Sequence, residues 1–521
     1  MSQSLKKFLI VGGVVILFLG LIEGAFFWFF LPFLVLAYIW YYDLQQTKHS
    51  LWRNYPVIGR FRWVLEELRP PIRQYFIESD IDGVPFTRQA RGLVYRRSKN
   101  MMSTIPFGTK EDVYRAGYEW IGHSLKAKKP QELHQDPRVL IGEATCKQPY
   151  ASSLFNISAM SFGALSANAV LALGGGAKIG GFALNTGEGG ISHYHLESGA
   201  DLIWQIGTAY FGCRDKEGAF DIGIFKQKAI LDNVKMIEIK LSQGAKPGHG
   251  GILPADKNTE EISKVRGVEP FTQVDSPPIH SAFASPKEMM EFIKLLRESS
   301  DGKPVGFKLS VGRQEEFIEL CKAMIETNIT PDFITVDGGE GGTGAAPLEY
   351  TNSIGMPLRE ALVFVVDVLN GFDLKKNIKV IASGKMTNGM DIAKALAVGA
   401  DLCASARGMM FSLGCIQALQ CHKNSCPTGI ATQDKRLMKG LVVSDKKQRV
   451  ANYHKGTIES FIEILAATGM DSPEQLDRTD VFYRVDQTTY KRYDELFIPM
   501  KEGALLNKPY MSKVFSKLKL E

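Results

Sequence analysis

Eight short apolar runs between residues 154 and 404 constrain the fold of this 521-residue chain more than any other feature. Each run is followed by glycine or polar residues, and helical patterns lie between the runs, as in chains that alternate strand and helix. Eight parallel strands with intervening helices close most simply into a (β/α)8 TIM barrel, an α/β fold whose active site lies at the carboxyl ends of the strands. The runs span residues 154–157, 182–184, 202–204, 236–239, 305–309, 333–336, 380–382 and 401–404.

An open doubly wound sheet is the alternative for the same alternation of strands and helices. That fold requires a glycine-rich dinucleotide-binding turn after its first strand. The residues at this position, Ala159-Met160-Ser161-Phe162-Gly163, lack the pattern. The sequence therefore favours the closed barrel.

The composition excludes several classes of protein. Hydrophobic residues make up 45% of the chain and charged residues 23%, which excludes a disordered or collagen-like chain. The net charge of +6 is too small to indicate nucleic-acid binding without a basic aromatic module. Three of the seven cysteines lie in one short segment, which favours a cluster or metal site in a reducing compartment over disulfides.

Two apolar runs near the N-terminus predict a transmembrane hairpin. Residues 8–42 carry a single charged residue, Glu23, which is followed by Gly24 between the two runs. A cleaved signal peptide is the alternative, but residues 22–25 form a poor cleavage site and a second apolar run follows them.

Basic residues on both sides of this hairpin predict its orientation. Lys6 and Lys7 precede the hairpin, and Lys48 and Arg53 follow it. By the positive-inside rule, both ends face the cytoplasm. The predicted location is the cell membrane, with the catalytic domain in the cytoplasm.

Glycine-rich loops follow several of the predicted strands, at residues 185–190, 243–251, 337–344 and 383–384. Glycine lets backbone amides approach a ligand closely, and the loops after the seventh and eighth strands are the usual phosphate site of this barrel. The pattern indicates a phosphorylated cofactor, and tight turns alone are the alternative.

Lys308 lies on the predicted fifth strand. An inward lysine is costly to bury unless an anionic group meets it, and Lys308 would suit the N1 and O2 edge of a reduced flavin. A buried structural ion pair is the alternative.

Cys415, Cys421 and Cys426 form the most specific motif of the chain. Three thiolates at this spacing can hold an iron–sulfur cluster, either a 3Fe-4S centre or a 4Fe-4S centre with an outside ligand. Zinc is one alternative, although structural zinc sites usually show closely paired cysteines and a regular fourth ligand, and only His422 is near. Buried free cysteines are the other alternative.

These motifs together resemble the FMN-binding synthase domain of glutamate synthase. The resemblance covers residues 151–433 and rests on residues 161–166, 414–433 and the three longer glycine-rich loops. The N-terminal part resembles membrane-anchored, single-domain members of that family, which have no glutaminase domain. The resemblance implies FMN in the barrel and a 3Fe-4S cluster on Cys415, Cys421 and Cys426.

The resemblance also implies roles for individual residues. Lys246 and Arg266 correspond to positions that hold the carboxylates of 2-oxoglutarate. Glu188 corresponds to a residue near the ammonia entry and is the candidate proton shuttle, and Lys308 supports the anionic reduced flavin. The residues implied around FMN are Met160, Ser161, Gln205, Lys308, Gly338, Gly339, Gly384, Ala406 and Arg407.

Four parts are predicted along the chain. They are the transmembrane hairpin (1–45), a helical and irregular preface (46–150), the FMN-binding barrel with its iron–sulfur loop (151–433) and a C-terminal helical extension (434–521).

Two departures from the family pattern affect the predicted substrate and nitrogen source. The substrate loop carries His249 where the family usually has glutamate, and Ile252 where it has glutamine. A polar substrate would lose a contact at Ile252. The chain opens Met1-Ser2-Gln3 without the catalytic cysteine of a glutaminase domain, so nitrogen is expected as free ammonia, from a separate glutaminase, or as an amine.

The expected activity is that of an oxidoreductase acting on CH–NH2 donors, by reductive amination of 2-oxoglutarate or a related 2-oxo acid with ammonia or an amine. The chain has no NAD fingerprint, so electrons are expected from an external donor, namely a ferredoxin, a reductase subunit or a membrane donor. One alternative is an FMN-dependent dehydrogenase of another hydroxy acid or amine that passes electrons to a membrane carrier. The other is an inactive, membrane-tethered redox scaffold.

Overall fold

The barrel predicted from the eight apolar runs is confirmed. A computed structural model of the chain describes Gly12 and residues 27–506. Eight parallel strands pair in chain order, and the eighth pairs with the first, so the sheet closes. These strands, β1 to β8, are Phe155–Ile157, Ala183–Asn185, Asp201–Ile206, Val234–Lys240, Val305–Leu309, Phe333–Asp337, Lys379–Ser383 and Leu402–Ser405.

Burial on both faces explains why the strands are nearly continuous apolar runs. Every residue of β1, β2, β5, β6 and β8 is buried, as expected for a parallel sheet covered by helices. The helices that follow the strands are Ala167–Gly180, His193–Glu197, Ile222–Ala229, Glu260–Arg266, Pro286–Ser299, Gln314–Thr327, Leu348–Ser353, Leu358–Gly371, Gly389–Val398 and Arg407–Leu413.

The regions before and after the barrel contain strands as well as helices. The helices are Arg88–Ser98, Lys435–Met438, Val443–Thr468 and Tyr493–Leu496. The strands are Glu119–Ile121, Arg138–Ile141, Tyr150–Ser153, Val481–Arg484 and Tyr490–Arg492, and Ile252–Leu253 pairs with Val274–Asp275 within the loop after β4. The four-part division of the chain stays a prediction.

A glycine allows the longest described helix to pack closely against the barrel. Helix Val443–Thr468 packs on helix Ala167–Gly180. A Cβ added to Gly176 would lie 2.5 Å from the Val450 Cβ and 2.7 Å from the Lys447 carbonyl oxygen. Because both atoms belong to the body of the neighbouring helix, neither can move away cheaply.

Gly176→Ala is therefore expected to destabilise the protein by about 1–3 kcal/mol, through overpacking. The midpoint of urea denaturation measures this loss. Gly92→Ala is the matched control, because Gly92 lies in helix Arg88–Ser98 with open space around an added Cβ. That change should leave the midpoint unchanged or raise it, since alanine favours the helix by up to about 1 kcal/mol. Equal midpoints for both variants would contradict the packing argument.

The N-terminal unit, Met1–Arg88, is separate from the unit Gln89–Glu521 that contains the barrel. Its helices are Phe27–Gln45, Ser50–Asn54 and Phe61–Ile72. Asp43 is fully buried and pairs with Arg60, whose Nη2 lies 2.6 Å from the carboxylate.

The predicted location in the cell membrane is contradicted, and the predicted transmembrane hairpin has no support in the described residues. The first apolar run and its turn lie outside the described residues, apart from Gly12. None of the helices in the described part of the chain combines the length and the apolar character needed to span a bilayer.

Candidate active site

Glu238, on β4, connects side chains from three other strands at the carboxyl end of the barrel. Asn185 Nδ2 and Gln205 Nε2 donate to its Oε1 at 2.8 and 2.6 Å, and Thr335 Oγ1 donates to its Oε2 at 2.6 Å. All four side chains are buried. Because every member has a partner, this network orients Gln205, one of the residues predicted around the flavin.

Lys308, on β5, forms a buried ion pair. Its Nζ lies 3.2 Å from Asp337, which also accepts hydrogen bonds from the Gly244 amide and the Ser383 hydroxyl at 2.9 Å each. Burial lowers the pKa of Lys308, but the charges of Asp337 and Glu238 outweigh it and hold that pKa above its ordinary value. Lys308 is therefore charged. It forms the buried ion pair that the sequence predicted as the alternative to a flavin contact.

Glu188 lies in the loop after β2 and pairs with Lys240 at the end of β4. The Lys240 Nζ donates to Glu188 Oε1 at 2.8 Å. Burial raises the pKa of Glu188, but the charges of Lys240, Arg266 and Lys246 outweigh burial and hold the pKa below its ordinary value. Glu188 is therefore an ionised carboxylate at neutral pH.

Two glycines enclose the Glu188 carboxylate. A Cβ added to Gly207 would lie 2.7 Å from Glu188 Oε2, and one added to Gly251 would lie 2.5 Å from Oε1. The backbone can approach a carboxylate this closely only where the residue has no side chain. Gly207 and Gly251 thus hold Glu188 in one position.

Arg266, at the end of helix Glu260–Arg266, contacts the loop after β1, and its charge acts on Glu188. Its Nη2 donates to the Phe162 carbonyl oxygen at 3.2 Å and to Ser161 Oγ at 3.5 Å. The guanidinium carbon lies 5.0 Å from the centre of the Phe211 ring, and within residues 27–506 the buried Nε has no hydrogen-bond partner. Burial lowers the pKa of Arg266 to about 10.

Lys246 is buried in the loop after β4. Burial, followed by repulsion from Lys240, lowers its pKa to about 8. Lys240, Lys246 and Arg266 thus act together on one carboxylate, Glu188. Three cations near Glu188, with Asp275 as a second carboxylate that acts on Lys246, leave an excess of positive charge in a largely buried site, which suits an anionic ligand.

A second group of cations lies at the ends of β7 and β8. Arg407 begins helix Arg407–Leu413 after Ala406, and its Nη2 donates to the Glu340 carbonyl oxygen at 2.6 Å. Burial lowers the pKa of Arg407, and burial together with the Arg407 charge lowers that of Lys385. A further positive group would be repelled here, whereas a phosphate would be stabilised.

The predicted phosphate glycines lie in the same group of loops. A Cβ added to Gly338 would lie 2.7 Å from the Leu358 amide, and one added to Gly339 would lie 2.7 Å from the Gly355 carbonyl oxygen. The nearest atom to a Cβ on Gly384 is a Leu358 methyl at 3.2 Å. Gly338 and Gly339 therefore require glycine, while Gly384 has more space around it.

The residues predicted on the other side of the flavin lie beside the Glu188 loop. A Cβ added to Gly187 would lie 2.5 Å from the Ser161 amide nitrogen and 2.8 Å from the carbonyl carbon of Met160. The loop after β1 therefore contacts the loop after β2, and Ser161 also contacts Arg266. Ser161, Glu188 and Arg266, predicted separately, come together.

The two residues that depart from the family pattern lie in the substrate loop. His249 Nδ1 lies 2.9 Å from the Gly250 carbonyl oxygen, and its ring contacts the edge of Tyr350 at 5.4 Å between centres. Ile252 begins the short strand Ile252–Leu253, directly after the Gly251 that encloses Glu188.

Cys415, Cys421 and Cys426 lie in the loop after helix Arg407–Leu413. Cys426 is buried and the other two are half-buried. Burial raises the pKa of Cys426, but hydrogen bonds from Thr428 and from backbone amides outweigh it and lower the pKa, as a thiolate requires. Among the described residues, no three His, Cys, Asp or Glu side chains are placed to hold one metal ion.

Sequence reasoning missed several residues of this site. Glu238 is a charged residue within a buried strand, and this contrast was the available signal. The sequence places Lys240 at the end of the same strand but does not indicate its pairing with Glu188. His280 was missed without any local signal. Its Nε2 donates to the Lys240 carbonyl oxygen at 2.9 Å, so its Nδ1 accepts from the Tyr210 hydroxyl at 3.1 Å.

Comparison with known proteins identifies the family. The conserved region in glutamate synthase matches residues 109–471 of this chain. The chain belongs to the glutamate synthase family. The family predicted from the motifs is thereby confirmed.

Relatives within the glutamate synthase family differ in how much of the two chains is matched. The chain is 40% identical over 505 residues to the glutamate synthase large subunit-like protein YerD of Bacillus subtilis (strain 168), covering 89% of this chain and 96% of that protein. It is 34% identical over 321 residues to the archaeal glutamate synthase (NADPH) of Methanocaldococcus jannaschii, and 33% over 320 residues to the archaeal-type enzyme of Thermotoga sp. (strain RQ2). These matches cover 61% of this chain and 60% of each of those two proteins.

Proposed function

We propose that this chain is an FMN- and iron–sulfur-dependent oxidoreductase that reductively aminates 2-oxoglutarate or a related 2-oxo acid with ammonia or an amine. The observation that carries the proposal is the group of Lys240, Lys246 and Arg266 around Glu188. One cation offsets Glu188, and the other two match the two carboxylates of a dicarboxylic 2-oxo acid. Relatives named as glutamate synthases support the same class of substrate.

The residues proposed to hold FMN surround the barrel mouth. Gly338, Gly339, Gly384, Ala406 and Arg407 would hold its phosphate, and the positive charge of Arg407 and Lys385 supports that assignment. The remaining residues, near the ring system, would be Met160, Ser161, Gln205 and Lys308. FMN, when bound, supplies hydride transfer at the barrel mouth.

Different residues of the chain would bind the substrate and transfer the proton. Lys246 and Arg266 bind the carboxylates and fix the oxo carbon in place. Glu188, held ionised by Lys240, accepts a proton from the incoming ammonium or amine. The overall reaction consumes one 2-oxo acid, one ammonia, two electrons and two protons, and it releases an amino acid and water.

Cys415, Cys421 and Cys426 are proposed to hold a 3Fe-4S cluster. In such a cluster each thiolate binds a different iron atom, so the three sulfurs need not surround one point. Burial, and then negative charge at Cys421 and Cys426, raises the pKa of Cys415. Burial, and then negative charge at Cys426, raises that of Cys421, and these interactions support the three cysteines lying in one site. Electrons would arrive from an external donor, such as a ferredoxin or a separate reductase subunit.

The decisive experiment reduces the purified, FMN-loaded protein without oxygen and follows reoxidation of the flavin absorbance. We expect 2-oxoglutarate or a related 2-oxo acid, mixed with ammonia or an alkylamine, to reoxidise the flavin. A comparison of wild type with Ile252→Gln shows whether Ile252 selects a less polar 2-oxo acid. Reoxidation by no pair of 2-oxo acid and amine would contradict the proposed reaction.

Lys246 should make the apparent KM for the 2-oxo acid depend on pH, with a limb that begins near pH 8. Its pKa of about 8 means that the side chain loses its charge, and with it carboxylate binding, as the pH rises through 8. The apparent KM for the 2-oxo acid is therefore expected to rise about tenfold per pH unit above 8. Lys246→Arg should move this limb to higher pH, because arginine stays charged. A KM that does not change between pH 7 and 9.5 would argue against Lys246 as a carboxylate ligand.

A further inference from the structure

Lys257 is a buried lysine with no role in the reaction described above. It ends the short 3₁₀ turn Ala255–Lys257 and is 3% exposed. Its Nζ donates to the carbonyl oxygens of Cys421 at 2.7 Å, Ala431 at 2.8 Å and Ala164 at 3.5 Å. The ammonium group thus joins the cysteine segment to the loop after β1.

Carbonyl oxygens satisfy the hydrogen bonds of Lys257 but leave most of its charge uncompensated. A carbonyl is a dipole, whereas a buried cation is fully offset only by an anion. The charges that act on Lys257 are those of Cys421, of Asp256 beside it in the chain, and of Cys426. A cluster bound through Cys421 and Cys426 would therefore add negative charge next to Lys257 and offset more of the cost of burying it.

We propose that Lys257 is the electrostatic partner of the iron–sulfur site, and that its charge raises the reduction potential of the cluster held by Cys415, Cys421 and Cys426. This inference rests on the cluster assignment of the proposed function. A fixed positive charge stabilises the more negative, reduced state of a nearby cluster, and the effect is strong where water is excluded. Asn424 supports the arrangement, because its Nδ2 donates to the Asp256 carbonyl oxygen at 3.1 Å, next to Lys257.

The test compares the midpoint potential of the cluster in the purified holoprotein, followed by electron paramagnetic resonance during reductive titration. Lys257→Gln keeps a hydrogen-bond donor and removes the charge, whereas Lys257→Arg keeps the charge. Lys423→Gln is the matched control, because Lys423 lies in the same segment but is exposed, where water and salt screen its charge.

We expect the midpoint potential to fall in Lys257→Gln, and to stay close to the wild-type value in Lys257→Arg and Lys423→Gln. If Lys257→Gln loses iron while Lys257→Arg retains it, the requirement for a charge is equally supported. A wild-type potential in Lys257→Gln at full iron content overturns the inference, as does an equal fall in Lys423→Gln or loss of iron from both Lys257 variants.

The outcome separates this inference from the proposed function. Wild-type protein without an iron–sulfur signal would overturn the cluster assignment and the role of Lys257 together. A potential shift in Lys257→Gln would stand even if no 2-oxo acid reoxidised the flavin, since the titration does not use the substrate.

Discussion

Lys308→Met is expected to destabilise the barrel by about 3–5 kcal/mol, because it leaves Asp337 as a buried carboxylate without its cation. The two hydrogen bonds that Asp337 accepts from Gly244 and Ser383 cannot replace a full positive charge. Chemical denaturation of the variant and of wild type measures the loss. Release of FMN during purification is expected to accompany it.

The double variant Lys308→Met/Asp337→Asn distinguishes two roles of Lys308, namely the ion pair with Asp337 and a contact to the flavin. Removing the Asp337 charge should restore most of the lost stability, because the carboxylate that pairs directly with Lys308 is then no longer an ion. If Lys308 also serves the flavin, the double variant should still retain less FMN than wild type. Full recovery of both stability and FMN content would show that the ion pair is the only role of this lysine.

The barrel could be predicted because its strands are buried on both faces. The run 333–336 has apolar side chains at three of its four positions, and the structure has the strand Phe333–Asp337 there. The observed strand β4, Val234–Lys240, is longer at both ends than the apolar run 236–239 that predicted it. The additional residues include Lys240, whose charge hid the end of the strand from a pattern based on hydrophobicity.

The contacts within the site could not be predicted, because they join residues far apart in sequence. Glu238 receives hydrogen bonds from β2, β3 and β6, and which side chains meet there depends on how the strands are aligned. The sequence motifs identified Glu188 and Arg266 but not the lysine that pairs with Glu188. Pairing across a closed barrel is a property of its three-dimensional geometry, with no fixed spacing along the chain.

The failed membrane prediction shows the limit of apolar content as evidence. Residues 27–42 contain no charged residue, yet Asp43 follows directly and is buried against Arg60. Its partner Arg60 lies 17 residues further along the chain, so the local pattern of apolar residues does not indicate the pairing. The charge of Asp43 thus belongs to a packed helical unit, where it is offset by an ion pair and by the Val57 amide.

Gly251→Ala is expected to lower kcat/KM for the 2-oxo acid at least about 100-fold, because displacement of a catalytic group by roughly 1 Å can cost that much. The new methyl group would lie 2.5 Å from Glu188 Oε1, the oxygen that accepts the Lys240 hydrogen bond. The carboxylate must move, and its pairing with Lys240 is lost with it. Flavin reoxidation kinetics measure the effect, and Gly344→Ala is the control in another loop, where an added Cβ has open space.

A double-mutant cycle decides whether Gly251 acts through Glu188. Glu188→Gln alone removes the ionised carboxylate, so adding Gly251→Ala to it should cost little more. If the two losses instead multiply, the alanine damages something other than the carboxylate, and the glycines are not there to hold Glu188. If Glu188→Gln alone leaves the rate unchanged, Glu188 is not the proton acceptor, and the cations around it serve only to bind the anionic substrate.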